Sequence, residues 1–70
     1  MDVNVFFGRK IKEERLNQNL SQEQLAFMSD IDRTYISDIE KGSRKVSLEI
    51  GYKLSKGLKV SLYNLLKDLK

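Results

Sequence analysis

The sequence predicts a compact all-α fold of five helices, on three observations. No proline interrupts its 70 residues, which agrees with helices throughout. Serine or aspartate stands where a helix-starting cap is wanted at Ser21, Asp32, Ser47 and Ser61, each just ahead of an apolar-periodic segment. In those segments leucine and isoleucine recur three and four residues apart, the spacing that lays one stripe along a helix.

The length allows one domain, residues 1–70, and a hydrophobic content of 40% suits a folded chain. A chain this short buries only about 60% of its unfolded surface, so modest stability is expected and self-association would help.

Taken in order, a first helix is expected from Val3 to Asn17, with Phe7, Ile11 and Leu16 inward and Arg9, Lys10 and Lys12 solvated. Turn formers fill Asn17 to Asn19, and Leu20 can staple the next helix start by packing on Leu25. Ser21 and Gln24 have the form of a capping box opening a second helix, Gln22 to Ser29, whose buried face is Leu25, Ala26 and Met28. Asp30 falls where the chain must turn sharply, in a left-handed conformation that aspartate tolerates better than most residues. Asp32 caps a third helix, Arg33 to Lys41, and Gly42 stops it.

Ser47 caps a fourth helix with Leu48, Gly51, Leu54, Ser55 and Leu58 on one stripe, and Glu49 in its first turn favours the helix dipole. Gly51 and Gly57 each cost up to about 1 kcal/mol relative to alanine. Two explanations stand: a close neighbour needs the missing side chain, or this helix is locally soft. Ser61 caps a last helix through Leu62, Leu65, Leu66 and Leu69. Leu62 and Leu65 are expected to close the core, leaving Tyr63, Leu66 and Leu69 as an exposed patch for a second copy, hence a homodimer.

Composition narrows the function. There is no cysteine and no histidine. This removes disulfides, thiolate and imidazole metal ligands, cysteine nucleophiles and the usual general base. The remaining carboxylates alternate with lysine and arginine, as on a solvated surface. No catalytic residue, metal or cofactor is expected. Val3, Val5, Phe6 and Phe7 make too short an apolar stretch for a signal peptide, and no window approaches the roughly 20 apolar residues of a membrane span. A cytoplasmic protein is the expectation. A net charge of +3 is compatible with an anionic partner.

The third helix carries the functional argument. With Arg33 at zero and about 100° per residue, Ile36 and Ile39 fall at roughly 300° and 240°, while Thr34, Ser37, Asp38 and Lys41 fall between about 40° and 140°. One side is core. The other offers a guanidinium fork, two hydroxyls, a carboxylate and an ammonium, which suits base edges and phosphates in a major groove of double-stranded DNA. A basic run, Lys41, Arg44 and Lys45, lies at its end and just beyond.

At these residues the chain resembles the Cro/phage-repressor (XRE-type) helix-turn-helix family. The signature is Ile11, Arg15, Leu20-Ser21-Gln22-Glu23-Gln24-Leu25-Ala26, Ile31, Tyr35-Ile36-Ser37, Ile39-Glu40, Gly42, Leu48, Leu58 and Val60, across Phe7 to Leu66. Asp32-Arg33-Thr34-Tyr35-Ile36-Ser37 with Ile39-Glu40-Lys41-Gly42-Ser43-Arg44 looks most like the controller proteins of restriction-modification systems. The resemblance implies a five-helix repressor-like fold with its helix-turn-helix in the second and third helices. It further implies a homodimer formed through the last helix and binding to a palindromic operator near a promoter.

By the same resemblance, Arg33, Thr34 and Ser37 face bases or adjacent backbone, Gln22 holds a phosphate and Tyr35 matches a position that often touches one; Ser21, Lys41, Ser43, Arg44 and Lys45 are further phosphate candidates. Asp38, on the base-reading face, has three readings: accepting from a cytosine amine, repelling phosphate, or orienting Arg33. Arg15 and Glu40 match a structural ion pair tying the first helix to the third. Glu23 is either a dipole-stabilising glutamate or a contact for RNA polymerase. An alternative from another class is an antitoxin-type protein-binding and autoregulatory module, supported by the apolar last helix. The chain departs from the family pattern at Asp30 and Lys59, where glycine is usual, and at Gly51 and Ser55, where larger or more apolar residues are usual.

Overall fold

Every helix starts on a side-chain oxygen. The computed structural model describes residues 2–69, folded as α1 (Val3–Asn17), α2 (Gln22–Ser29), α3 (Arg33–Lys41), α4 (Leu48–Leu58) and α5 (Leu62–Leu66). Ser21, Asp32, Ser47 and Ser61 each accept an amide of the first turn, and Ser21 and Gln24 close the reciprocal capping box. Asp2 does the same for α1, taking the amides of Asn4 and Val5 at 2.9 and 3.3 Å. The turns that follow use left-handed residues at Asp30 (φ 56°), Gly42 (φ 75°) and Lys59 (φ 58°). Asp30 and Lys59 therefore adopt the backbone that glycine adopts more cheaply, and the turn geometry is preserved.

α1 packs most heavily on α3, α2 lies against α3 and α4, and α5 packs against α1 and α4. The shared core holds Phe7, Ile11, Leu25, Ile36, Ile39, Leu54, Leu58 and Leu65. Two glycines set the spacing of these helices. A β-carbon on Gly8 would overlap the Ile39 carbonyl of α3, and one on Gly57 would overlap the Ser29 hydroxyl of α2. Gly51 is different, since a β-carbon there would meet Leu62 and Phe7 at ordinary distances of 3.6 and 3.7 Å. Close packing thus explains Gly57 and leaves Gly51 without such a need.

The apolar stripes needed correction in four places. Leu16 is exposed, not inward, because about 140° separates it from Ile11 while Arg15, only about 40° away, takes the buried place. Met28 is exposed because Ser29, facing Gly57, completes the inward face of α2 with Leu25 and Ala26. Leu48 is 81% exposed at the first turn of α4, on the rim of a groove it shares with Val3, Phe7, Leu62 and Leu66. α5 ends at Leu66, so Leu69 lies in the turn beyond it, its amide bonded to the Leu66 carbonyl at 2.9 Å. Leu65 is fully buried, whereas Leu62 and Leu66 pack on the core only in part.

Candidate nucleic-acid interface

Ile36 and Ile39 fix the rotation of α3, both fully buried. With that side turned inward, Arg33, Thr34 and Lys41 are exposed and Ser37 and Asp38 half-exposed on the opposite side. The start of α3 is held by Asp32, whose carboxylate takes the Thr34 amide at 3.0 Å. Its end is held by the left-handed Gly42, and the Asp38 carbonyl accepts both the amide and the hydroxyl of Ser43 at 3.1 and 3.2 Å.

Behind this face lies the Arg15–Glu40 pair. Arg15 Nε and Nη2 donate to Glu40 Oε2 and Oε1 at 2.7 and 3.0 Å, and Nη1 donates to the Leu20 carbonyl at 2.8 Å. The two side chains are only 10% and 4% exposed, so α1 is pinned to α3 and to the entry of α2 by a desolvated, two-pronged ion pair. The hydrogen bond to Glu40 raises the Arg15 pKa above the usual arginine value; burial opposes this, and the Glu40 charge adds to it.

Gln22 bridges outward from the pair. Its Nε2 donates to Glu40 Oε1 at 3.1 Å and its Oε1 accepts from Arg33 Nη1 at 3.2 Å. One amide hydrogen of Gln22 is left without a partner among the described residues. Asp38 lies instead against Arg44, whose Nη2 is 3.4 Å from Asp38 Oδ2 and whose guanidinium stacks 4.4 Å from the centre of the Tyr35 ring. Of the three readings of Asp38, orienting Arg33 is therefore replaced: Gln22 holds Arg33, and Asp38 holds Arg44. The basic loop is fastened to α1, since Asn4 Oδ1 accepts the Val46 amide at 2.9 Å.

The structure thus gathers Gln22, Arg33, Thr34, Tyr35, Ser37, Asp38, Lys41, Ser43 and Arg44 on α3 and the segments flanking it, with exposed Ser21 at the α2 start and Lys45 next to Arg44. Tyr63, Leu66 and Leu69 sit apart, on and after α5. Tyr63 is 75% exposed, but Leu66 and Leu69 are half-buried, so the exposed patch is smaller than the leucine spacing implied. Sequence reasoning missed the Gln22 bridge and the Tyr35–Arg44 stack, which join residues far apart in the chain and carry no local signal. Among the described residues no group of histidine, cysteine, aspartate or glutamate could hold a metal, and no helix is long and apolar enough to cross a membrane.

Comparison with known proteins agrees with this geometry. A helix-turn-helix family profile matches residues 11–65. The chain is similar to control protein C.BamHI of Bacillus amyloliquefaciens, 50% identical over 66 residues that cover 93% of this chain and 82% of that one. The crystal structure of the restriction-modification controller protein C.AhdI from Aeromonas hydrophila superposes with a TM-score of 0.85 at 42% identity, covering 89% of this chain and 94% of that one. The controller protein C.Esp1396I, solved as a tetramer with its natural 35 base-pair operator, superposes with a TM-score of 0.88 at 36% identity, covering 96% and 88%. The chain therefore belongs to the helix-turn-helix family and, within it, to the control proteins of restriction-modification systems, which are DNA-binding transcription regulators and not enzymes.

Proposed function

We propose that this protein regulates restriction-modification genes by binding a palindromic operator as a homodimer, with α3 of each copy in a major groove about one helical turn, or about 34 Å, from the other. The observation that carries this reading is the outward row Arg33, Thr34, Ser37 and Asp38, clear of the core while Ile36 and Ile39 anchor the same helix from behind. Arg33 is the main base reader, most suited to guanine, with Thr34 and Ser37 beside it. Lys41, Ser43, Arg44, Lys45, Tyr35, Ser21 and the spare amide hydrogen of Gln22 grip phosphates.

Tyr63, Leu66 and Leu69 supply the contact between copies. The groove bordered by exposed Leu48 and Val3 and by half-buried Leu62 and Leu66 supports this, as an apolar surface next to α5. Glu23, exposed in the first turn of α2, is the side chain offered to RNA polymerase. Unchanged transcription from an activated promoter with Glu23→Lys would remove that role. The antitoxin-type alternative is not favoured, because control proteins match this chain over nearly its whole length.

Selection of bound duplexes from random-sequence DNA tests the reading. The expected product is a two-fold symmetric site with half-sites about one turn apart. Recovery of no enriched sequence at low ionic strength, or of a single unrepeated half-site, would overturn it.

A further inference from the structure

We infer that Gln22 is a positioning residue for Arg33, its amide locked by the buried Arg15–Glu40 pair so that the reading guanidinium is held in place before DNA arrives. This deepens the functional reading above and rests on Arg33 contacting a base.

The polarity of four side chains carries the argument. A carboxylate can only accept and a guanidinium can only donate. Glu40 Oε1, already taking Arg15 Nη2 at 3.0 Å, therefore meets Gln22 through its NH2 group, at 3.1 Å. That leaves the Gln22 carbonyl on the other side, where Arg33 Nη1 donates to it at 3.2 Å. Reversing the amide would set its oxygen against the carboxylate and its NH2 against the guanidinium, two repulsive contacts for two attractive ones. The orientation is thus dictated by chemistry, and the dictating group is rigid: Glu40 is 4% exposed and bonded in two places by an arginine that also holds the Leu20 carbonyl.

The result is a relay, Arg15 to Glu40 to Gln22 to Arg33, running from the α1–α3 junction through the start of α2 to the DNA face. Arg33 is exposed and its side chain is rich in rotamers, so an untethered guanidinium would lose that freedom on binding. Tethering one Nη leaves Nε and the second Nη free for the two acceptors of a guanine edge. Gln22 thereby contributes to sequence discrimination without touching a base.

A double-mutant cycle tests this, using the duplex recovered by selection and a scrambled duplex of equal length. Gln22→Ala is expected to weaken both duplexes equally through its lost phosphate contact, and the selected duplex about three- to tenfold beyond that, the range expected for ordering one long side chain. In an Arg33→Ala background that extra loss on the selected duplex should shrink below twofold. Equal losses on both duplexes, undiminished in that background, would make Gln22 only a phosphate ligand and overturn the inference. If Arg33→Ala itself weakens both duplexes alike, the base-reading role of Arg33 fails and this inference with it. Side-chain NMR relaxation of Arg33 Nε in the free protein gives an independent readout: ordered in the parent and mobile in Gln22→Ala at matched unfolding midpoints. An Arg33 side chain equally mobile in both would also overturn it.

Discussion

Gly57 of α4 passes Ser29 of α2 so closely that no β-carbon fits between them, and the buried Ser29 hydroxyl finds no hydrogen-bond partner among the described residues. The junction of these two helices is set by an absence of side chain, and the same helix carries a second glycine, Gly51, with room to spare.

The two glycines therefore respond in opposite directions. Gly57→Ala should destabilise by about 1–3 kcal/mol, overpacking outweighing the helix propensity gained. Gly51→Ala should stabilise by up to about 1 kcal/mol, its added carbon meeting Leu62 and Phe7 at 3.6 and 3.7 Å. Urea unfolding midpoints at constant slope separate the outcomes; a gain for Gly57→Ala would contradict the packing described.

Removing one partner of the Arg15–Glu40 pair strands the other in a nearly dry site. Arg15→Met or Glu40→Ala should cost about 3–5 kcal/mol, while the double replacement by apolar residues should recover part of that loss. Because the folded-state pKa of Arg15 is raised, its contribution is complete below the ordinary arginine value and fades only as pH climbs through the still higher folded value. Chemical denaturation should find the cost of Arg15→Met unchanged from about pH 7 to about pH 10; a cost that fades over that interval would sink the assignment.

Lys59 holds a left-handed backbone, φ 58° and ψ 37°, that disfavours a β-carbon. Lys59→Gly should raise stability by about 0.5–1 kcal/mol, a melting shift of about 2–8 °C in a domain of this size. Asp30→Gly should change less, since aspartate tolerates that region better. Thermal unfolding followed by circular dichroism decides whether the order holds.

On the DNA face, Arg33→Ala should cost about 1–3 kcal/mol on the selected duplex and relax discrimination at one base pair. Competition binding against single-base variants reads this directly, and an undisturbed base preference would remove Arg33 from the reading row.

Arg44 is expected to behave otherwise. Its pairing with Asp38 is long and half-exposed, so it contributes little to folding and leaves the guanidinium available to phosphate. Arg44→Ala should weaken selected and scrambled duplexes alike and flatten the salt dependence by about one unit. A loss confined to the selected duplex would move Arg44 among the base readers.

Local chemistry made much of this molecule legible in advance. Four of the five caps and the Asp30 and Gly42 turns depend on residues within a few positions of each other, and they stand where their spacing places them. The rotation of α3 was equally legible because Ile36 and Ile39 are its aliphatic residues and lie on one side. Leu16, Met28 and Leu48 misled because an apolar residue does not say which face of its helix will meet a partner; Arg15 and Ser29 took inward places that a hydrophobic pattern assigns to neighbours. The Gln22 bridge joins α2 to both ends of α3 and could be read only once the two helices were assembled.

The separation of α3 into an anchored rear and a free front has an evolutionary corollary. Thr34 is exposed, Ser37 half-exposed and neither belongs to the core, so on the proposed reading a lineage can drift from one genomic address to another while the scaffold keeps folding. Position 33 has less latitude. The carbonyl that Gln22 presents there is paired by a side chain with a proton to give, so on the proposed reading exchange at this position favours donors and the target letters they recognise.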